Sequence, residues 1–365
     1  MLAFSNDYYG FIFRATQSVE LFCAYDLLTS SSVKTDFMLP TFNTSIDFPC
    51  GKYYPYKLTQ KVYIVNPNIV VAIAGDYFKN EIFVNDIKLF FDKKKATKEN
   101  MDIFWNKYVN QTMDNEAYGI CRVDPDSLET ECRYLGKWYT KKTLSMGTIN
   151  SVGSGTSDFF RMIDSFGEKN LINVKSYYDA IVNFYQIFSA ILGEERYFAS
   201  NILNAWGAGF EIVVFDYQKR TFVKLDEISY VIWRGKYSIE KDEFECVPVA
   251  TMTNKYLGEA LSISCHVGDS PHLYIALPIY MKKEEFDLSL IPDKLFTNSS
   301  KVCNIIEIEV IEKNIIQPIC VYAENNSDLN AVFIEYDENG QFLVAMSTDL
   351  SKEIENKIRL LAQMI

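Results

Sequence analysis

Residues 10–15 (GFIFRA) and 19–26 (VELFCAYD) are short, β-rich runs on either side of a polar Thr16-Gln17-Ser18 turn, which predicts a hairpin. Residues 27–60 follow without a sustained period and predict a long loop or insertion. A second hairpin is predicted from 61–64 (KVYI) and 69–74 (IVVAIA), turning on Asn66-Pro67-Asn68 and ending at Gly75. Its second arm is apolar at successive positions, as in a strand buried on both faces. From Asn80 the period changes, and Ile82, Phe83, Ile87, Phe90 and Phe91 share a helical face.

A second helical segment is predicted over 101–112, a third over 156–166 and a longer one over 174–192. Between them, 118–123 and 132–138 bracket an Asp124-Pro125-Asp126 turn, and 210–216 pairs with 222–228. Hairpins alternating with helices predict an α+β chain of antiparallel sheets between helical layers, and not a βαβ parallel sheet. Beyond Gly235 the pattern is mostly strand-like, over 246–253, 272–280, 303–311 and 315–322. A hairpin over 332–336 and 342–347 carries an Asn339-Gly340 turn signal, and an amphipathic helix over 349–364 closes the chain.

The length of 365 residues fits two domains at about 150 residues each. Charge is unevenly spread: 11 Lys/Arg stand against 21 Asp/Glu from Lys236 onward, and 25 against 27 before it. That step predicts a boundary near Gly235, giving domains 1–235 and 236–365, the second acidic, β-rich and of unassigned role. The net charge of −12 argues against nucleic acid as a partner. The apolar run over 62–75 is shorter than the ~18 to 20 residues of a membrane span, so no membrane partner is expected. The opening MLAFSNDYYGFIF is broken by Ser5, Asn6 and Asp7 and does not match a secretion signal. A cytoplasmic chain with eight reduced cysteines is therefore expected, and no CxxC pair points to zinc or thioredoxin chemistry.

The succession VELFCAYDLLTSS, QKVYIVNPNIVVAIAGD, SVGSGTSDFF and WGAGFEIVVFD resembles a proteasome β-type subunit of the N-terminal-nucleophile hydrolases, over residues 8–235. The resemblance implies a four-layer αββα sandwich of antiparallel sheets. It also implies a nucleophile at a freed chain end, its own α-amine acting as base. Asp26 matches the aspartate that pairs with the family lysine, Lys61 that lysine, Gly75 the glycine whose N–H receives the oxyanion, and Ser154 the serine of the GSG turn. The later aspartate falls on Asn204. Counting back from Asp26 by the family's spacing reaches Gly10, with Tyr8 and Tyr9 before it, so the nucleophile is missing. Ser5 is the nearest hydroxyl, and it requires cleavage after Phe4.

The resemblance therefore implies a non-catalytic structural or regulatory subunit, a pseudoenzyme that assembles with copies of itself or with related subunits and has a peptide as a candidate ligand. The alternative is an active amide or peptide hydrolase using Ser5 after processing, and a further one is a binding or defence module acting through the C-terminal domain. Asp26 and Lys61 also fit a structural ion pair, and Gly75 a turn glycine. Gly153-Ser154-Gly155 lacks the rest of a phosphate loop. His266 and His272, with Cys265 and Asp269, lack a recognised metal-ligand spacing. No cofactor is expected.

Overall fold

The computed structural model describes residues 3–5, 8–14, 18–25, 27–30, 54–109, 116–136, 140–144, 147–152, 156–166, 177–198, 210–225, 227–267, 270–292, 299–325, 331–336 and 342–364. The chain is α+β, with several antiparallel sheets. The first sheet runs in the order β5 (Tyr54–Leu58), β4 (Leu27–Ser30), β1 (Ala3–Ser5), β7 (Ile69–Asp76), β8 (Ala117–Val123), β9 (Thr130–Gly136), and β6 (Val62–Asn66) also pairs with β7. The second runs β10 (Thr140–Leu144), β11 (Gly147–Val152), β2 (Tyr8–Arg14), β3 (Ser18–Tyr25), β12 (Phe210–Asp216), β13 (Thr221–Lys224).

Alternation along β7 explains its apolar run. Ile69, Val71 and Ile73 face α1 (Tyr77–Phe91) and α2 (Lys98–Asn106), whose Phe83, Val84, Ile87, Met101 and Phe104 cover them. Phe83 stacks on Tyr118 of β8 with ring centroids 3.8 Å apart. Val70, Ala72 and Ala74 face the other way, against Val213, Phe215 and Phe222 of the second sheet. The opposite side of β12, through Ile212 and Val214, meets α3 (Thr156–Phe166) and α4 (Tyr177–Phe198).

The third sheet runs β17 (Ser270–Ala276), β16 (Ala260–Val267), β15 (Glu243–Leu257), β14 (Ile228–Ser238), β18 (Lys301–Val310), β19 (Ile315–Glu324). Its pairs are antiparallel except β14 with β18. Residues 181–192 of α4 are buried except for Gln186, because the helix lies between the second and third sheets. A Cβ added at Gly193 would stand 3.2 Å from Ile305 Cγ2, so glycine permits the close approach of α4 to β18. The far face of the third sheet is covered by the hairpin β20 (Val332–Tyr336) and β21 (Phe342–Met346) and by α5 (Thr348–Met364), through Leu350, Ile354 and Ile358.

The stretch 27–60, expected as a loop, contains β4 and β5. Their strand pattern is too short to announce itself, and Pro55 in β5 is tolerated because β5 ends the sheet's strand order. Residues 31–53 lie outside the described residues. The polar β10 and the weakly patterned β16 also escape the sequence reading. The step in charge at Gly235 falls inside β14, because surface charge and core strands are set by different residues. No helix among the described residues is long and apolar enough to cross a membrane.

Glu312, in a short 3₁₀ turn after β18, ties that turn to the end of β14. Its carboxylate accepts from Ser238 Oγ at 2.6 Å and from the N–H groups of Ile239 at 2.9 Å and Glu240 at 3.2 Å. The Ser238 hydroxyl and the Ile239 N–H hold its pKa down at about 2. A carboxylate depressed in the folded state stabilises above its unfolded pKa, and that contribution fades as pH falls through the folded value. The difference in Tm between the parent chain and Glu312→Gln is therefore expected to be constant above about pH 5 and to shrink toward pH 2. Thermal melts across that range measure it.

Candidate functional site

One edge of β7 carries two strands in succession. β6 pairs Val62 with Ala72 and Tyr63 with Val71, and the Ile73 N–H extends the ladder to Lys61 O at 3.0 Å. Beyond that point β1 occupies the same edge, with Ser5 opposite Gly75 and Phe4 opposite Asp76. β8 holds the other edge. Lys61 and Ser5 thus reach β7 two positions apart. β1 also pairs with β4, Ser5 standing opposite Leu28. Gly75 has φ of +98°, a backbone that favours glycine, and the next residue, Asp76, caps α1 by accepting from Lys79 N at 3.0 Å.

Ala3 and Phe4 precede Ser5 in β1, paired with Ser30 and Thr29. The Lys61 side chain is wholly buried.

Beside this edge lies a buried polar cluster. Glu211 of β12 shares a face with Val213 and Phe215, which pack between the first two sheets. Its Oε2 accepts from the N–H groups of Lys61 at 3.0 Å and Val62 at 3.4 Å. Its Oε1 accepts from Lys224 Nζ at 3.0 Å and from the Tyr256 hydroxyl at 2.7 Å. Lys224 also donates to Gln60 Oε1 and lies 4.5 Å from the Tyr256 ring centroid. The Gln60 amide donates onward to the carbonyls of Glu259 at 2.5 Å and Ala276 at 2.9 Å. Four donors meet the acceptor capacity of one carboxylate, the condition under which a charge is tolerated inside. Glu211, Tyr256 and Asn254 line a cavity of about 10 Å³, room for one water molecule. Among the described residues, neither polar atom of the buried Asn254 amide has a partner.

A larger cleft of about 840 Å³ opens where the first and third sheets meet, lined by Leu58, Thr59, Tyr77, Glu81, Tyr274 and Tyr280 among others. Thr59 bridges in parallel to Leu277, its hydroxyl donating to Leu277 O at 3.1 Å. Strands β5 and β17, each last in its sheet's order, approach each other here. Burial pushes the phenol pKa values of Tyr77, Tyr274 and Tyr280 up, with Glu81 adding at Tyr77 and Glu259 at Tyr280, so all three remain O–H groups at neutral pH. Lys88 Nζ sits 3.3 Å from the Tyr280 ring centroid, and burial lowers its pKa. The cleft begins two residues from both Lys61 and Gly75, and its volume suits a bound ligand.

Of the residues singled out in the sequence, Ser5, Lys61 and Gly75 come to one strand edge. Asp26, Ser154 and Asn204 lie outside the described residues. Gly10 sits inside β2 opposite Phe22. His272 pairs with Cys265, and His266 with Pro271, across β16 and β17. Among the described residues no group of three or more His, Cys, Asp or Glu is placed to hold a metal ion. Sequence reasoning missed Glu211, although a glutamate at an inward position of the apolar strand FEIVVFD was its signal. No known protein-family model matches the chain, and no curated protein matches it in sequence.

Glu211→Ala is expected to lower the unfolding free energy by about 3 to 5 kcal/mol, because it removes the carboxylate partner of Lys224, of the Tyr256 hydroxyl and of two N–H groups. Urea denaturation measures this. A loss below about 1 kcal/mol, the scale of an exposed ion pair, would contradict the role given to the carboxylate.

Proposed function

We propose that the chain is a proteasome-like scaffold of the N-terminal-nucleophile type that acts by assembly and binding, its catalytic pocket vestigial. The observation that carries this reading is the complete burial of the Lys61 side chain, at the position of the family's lysine, which suits a residue that holds the scaffold better than one that meets a substrate. A nucleophile of this type needs its own free α-amine as base, which Ser5 gains only by cleavage after Phe4. The order of layers supports the kinship: α1 and α2, first sheet, second sheet, α3 and α4, as in a four-layer αββα sandwich. The cleft beside Thr59 and Tyr77 is where a peptide would bind.

One observation favours the hydrolase alternative. Ser5 stands opposite Gly75 with Lys61 nearby on the same edge. In that reading, cleavage after Phe4 frees the Ser5 amine, which takes the hydroxyl proton as Oγ attacks an amide carbonyl and then gives that proton to the amine that leaves when the C–N bond breaks. The Gly75 N–H holds the oxyanion, Lys61 and Asp26 tune the nucleophile, and water then releases the acyl group.

Intact mass and N-terminal sequencing of the purified chain distinguish the two. The scaffold reading expects Phe4 to be retained and no adduct with an epoxyketone or β-lactone probe. A chain that begins at Ser5 and labels covalently overturns it. Lys61→Ala is expected to lower stability, through the cavity it leaves in the buried sheet margin, without a turnover phenotype. Sedimentation is expected to show an assembly, and a strict monomer would remove the assembly role.

A further inference from the structure

Cys121 of β8 stands directly opposite Cys132 of β9. The hydrogen-bond parity of this ladder is fixed by its ends. The Val123 N–H points away from β9, to Asn68 O at 2.9 Å, whereas the Asp124 N–H donates across the turn to Glu129 O at 2.8 Å. Counting back by alternation, Arg122 with Glu131 is a hydrogen-bonded pair, and Cys121 with Cys132 is a non-hydrogen-bonded one. Such pairs bring their Cα atoms to about 4.5 Å and their side chains closest, within the span a disulfide bridges. The two sulfurs lie 2.7 Å apart. The neighbouring pair locks the register, Arg122 Nη2 meeting Glu131 Oε2 at 3.0 Å. Among the described residues no other cysteine faces a second one across a ladder.

We propose that Cys121 and Cys132 are a redox pair that forms a cross-strand disulfide in the folded chain. Cys132 is part-buried on β9, the last strand in its sheet's order, and is the thiol an oxidant reaches; Cys121 is buried behind it and resolves the product. With hydrogen peroxide as oxidant, the Cys132 sulfur attacks a peroxide oxygen, the O–O bond breaks, and the sulfur becomes a sulfenic acid as one water leaves. The Cys121 sulfur then attacks that sulfur, the S–O bond breaks, and a second water leaves. Two thiols have lost two electrons and the peroxide has gained them. A dithiol reductant reverses the step. Oxidation fastens β9 to the first sheet; the inference stands independently of any activity at Ser5. Burial keeps other cysteines as neutral thiols: Cys246 is pushed up to about 11 and Cys320 up to about 12.

The test treats the full folded chain with hydrogen peroxide, blocks remaining thiols with N-ethylmaleimide, and maps peptides without reduction. The expected result is a peptide joining Cys121 to Cys132 and a Tm raised by a few degrees, both reversed by dithiothreitol. Cys132→Ser abolishes the joined peptide and the Tm shift, while in Cys121→Ser the remaining Cys132 takes up sulfenic-acid label. The proposal is overturned if both thiols stay alkylatable after peroxide, if either joins a different cysteine, or if the link forms only after denaturation.

Discussion

A single buried carboxylate connects the three sheets. Glu211 belongs to the second sheet, accepts from the backbone of Lys61 and Val62 at the margin of the first, and is closed by Tyr256 from the third. Burying a charge is unfavourable unless it is paired and saturated, so this contact forms only when all three sheets are in register. Apolar packing alone would allow small slides of one sheet over another. The carboxylate does not, since each donor has one direction from which it can be met. Gln60 extends the constraint by binding two carbonyls of the third sheet, which fixes the segment leading into Lys61.

Two consequences follow for the shape of the candidate site. The third sheet is held against the first near Thr59 and Leu277, and the strands diverge into the cleft lined by Tyr77, Tyr274 and Tyr280. On the other side, α4 is shared between the second and third sheets, with Tyr185 stacked on Tyr322 at a centroid distance of 5.6 Å. A helix buried on both sides cannot serve as the outer layer of one half alone. The core thus runs through the point where the charge composition changes.

The parts of this architecture legible in sequence are those whose residues carry their own pattern. IVVAIA announced a doubly buried strand, the Asn66-Pro67-Asn68 and Asp124-Pro125-Asp126 turns announced hairpins, and the helix over 156–166 was read at its observed limits. β4 and β5 were not legible because their stability comes from β1 and from each other, not from alternation within LLTS or YPYKL. The parallel pairing of β14 with β18 was hidden for a related reason: the partners are separated by three intervening strands, and only the third sheet as a whole specifies it. Within the candidate site, Lys61, Gly75 and Ser5 were singled out from a motif order. Glu211, Lys224 and Tyr256 were not, because their roles exist only once three sheets meet.

The ladder that brings Ser5 to Gly75 depends on the residues before it. Pairing of Phe4 with Asp76 and of Ala3 with Ser30 positions the hydroxyl-bearing residue. Freeing the amine would remove the residues on one side of Ser5 and with them part of the pairing that holds β1 in place. A catalytic version of this edge would need other contacts to hold a shortened β1. In the described structure β1 is a short tie between β4 and β7, and Lys61 and Gly75 lie at the sheet margin beside the cleft, so the pairing that positions them also fixes where the cleft begins.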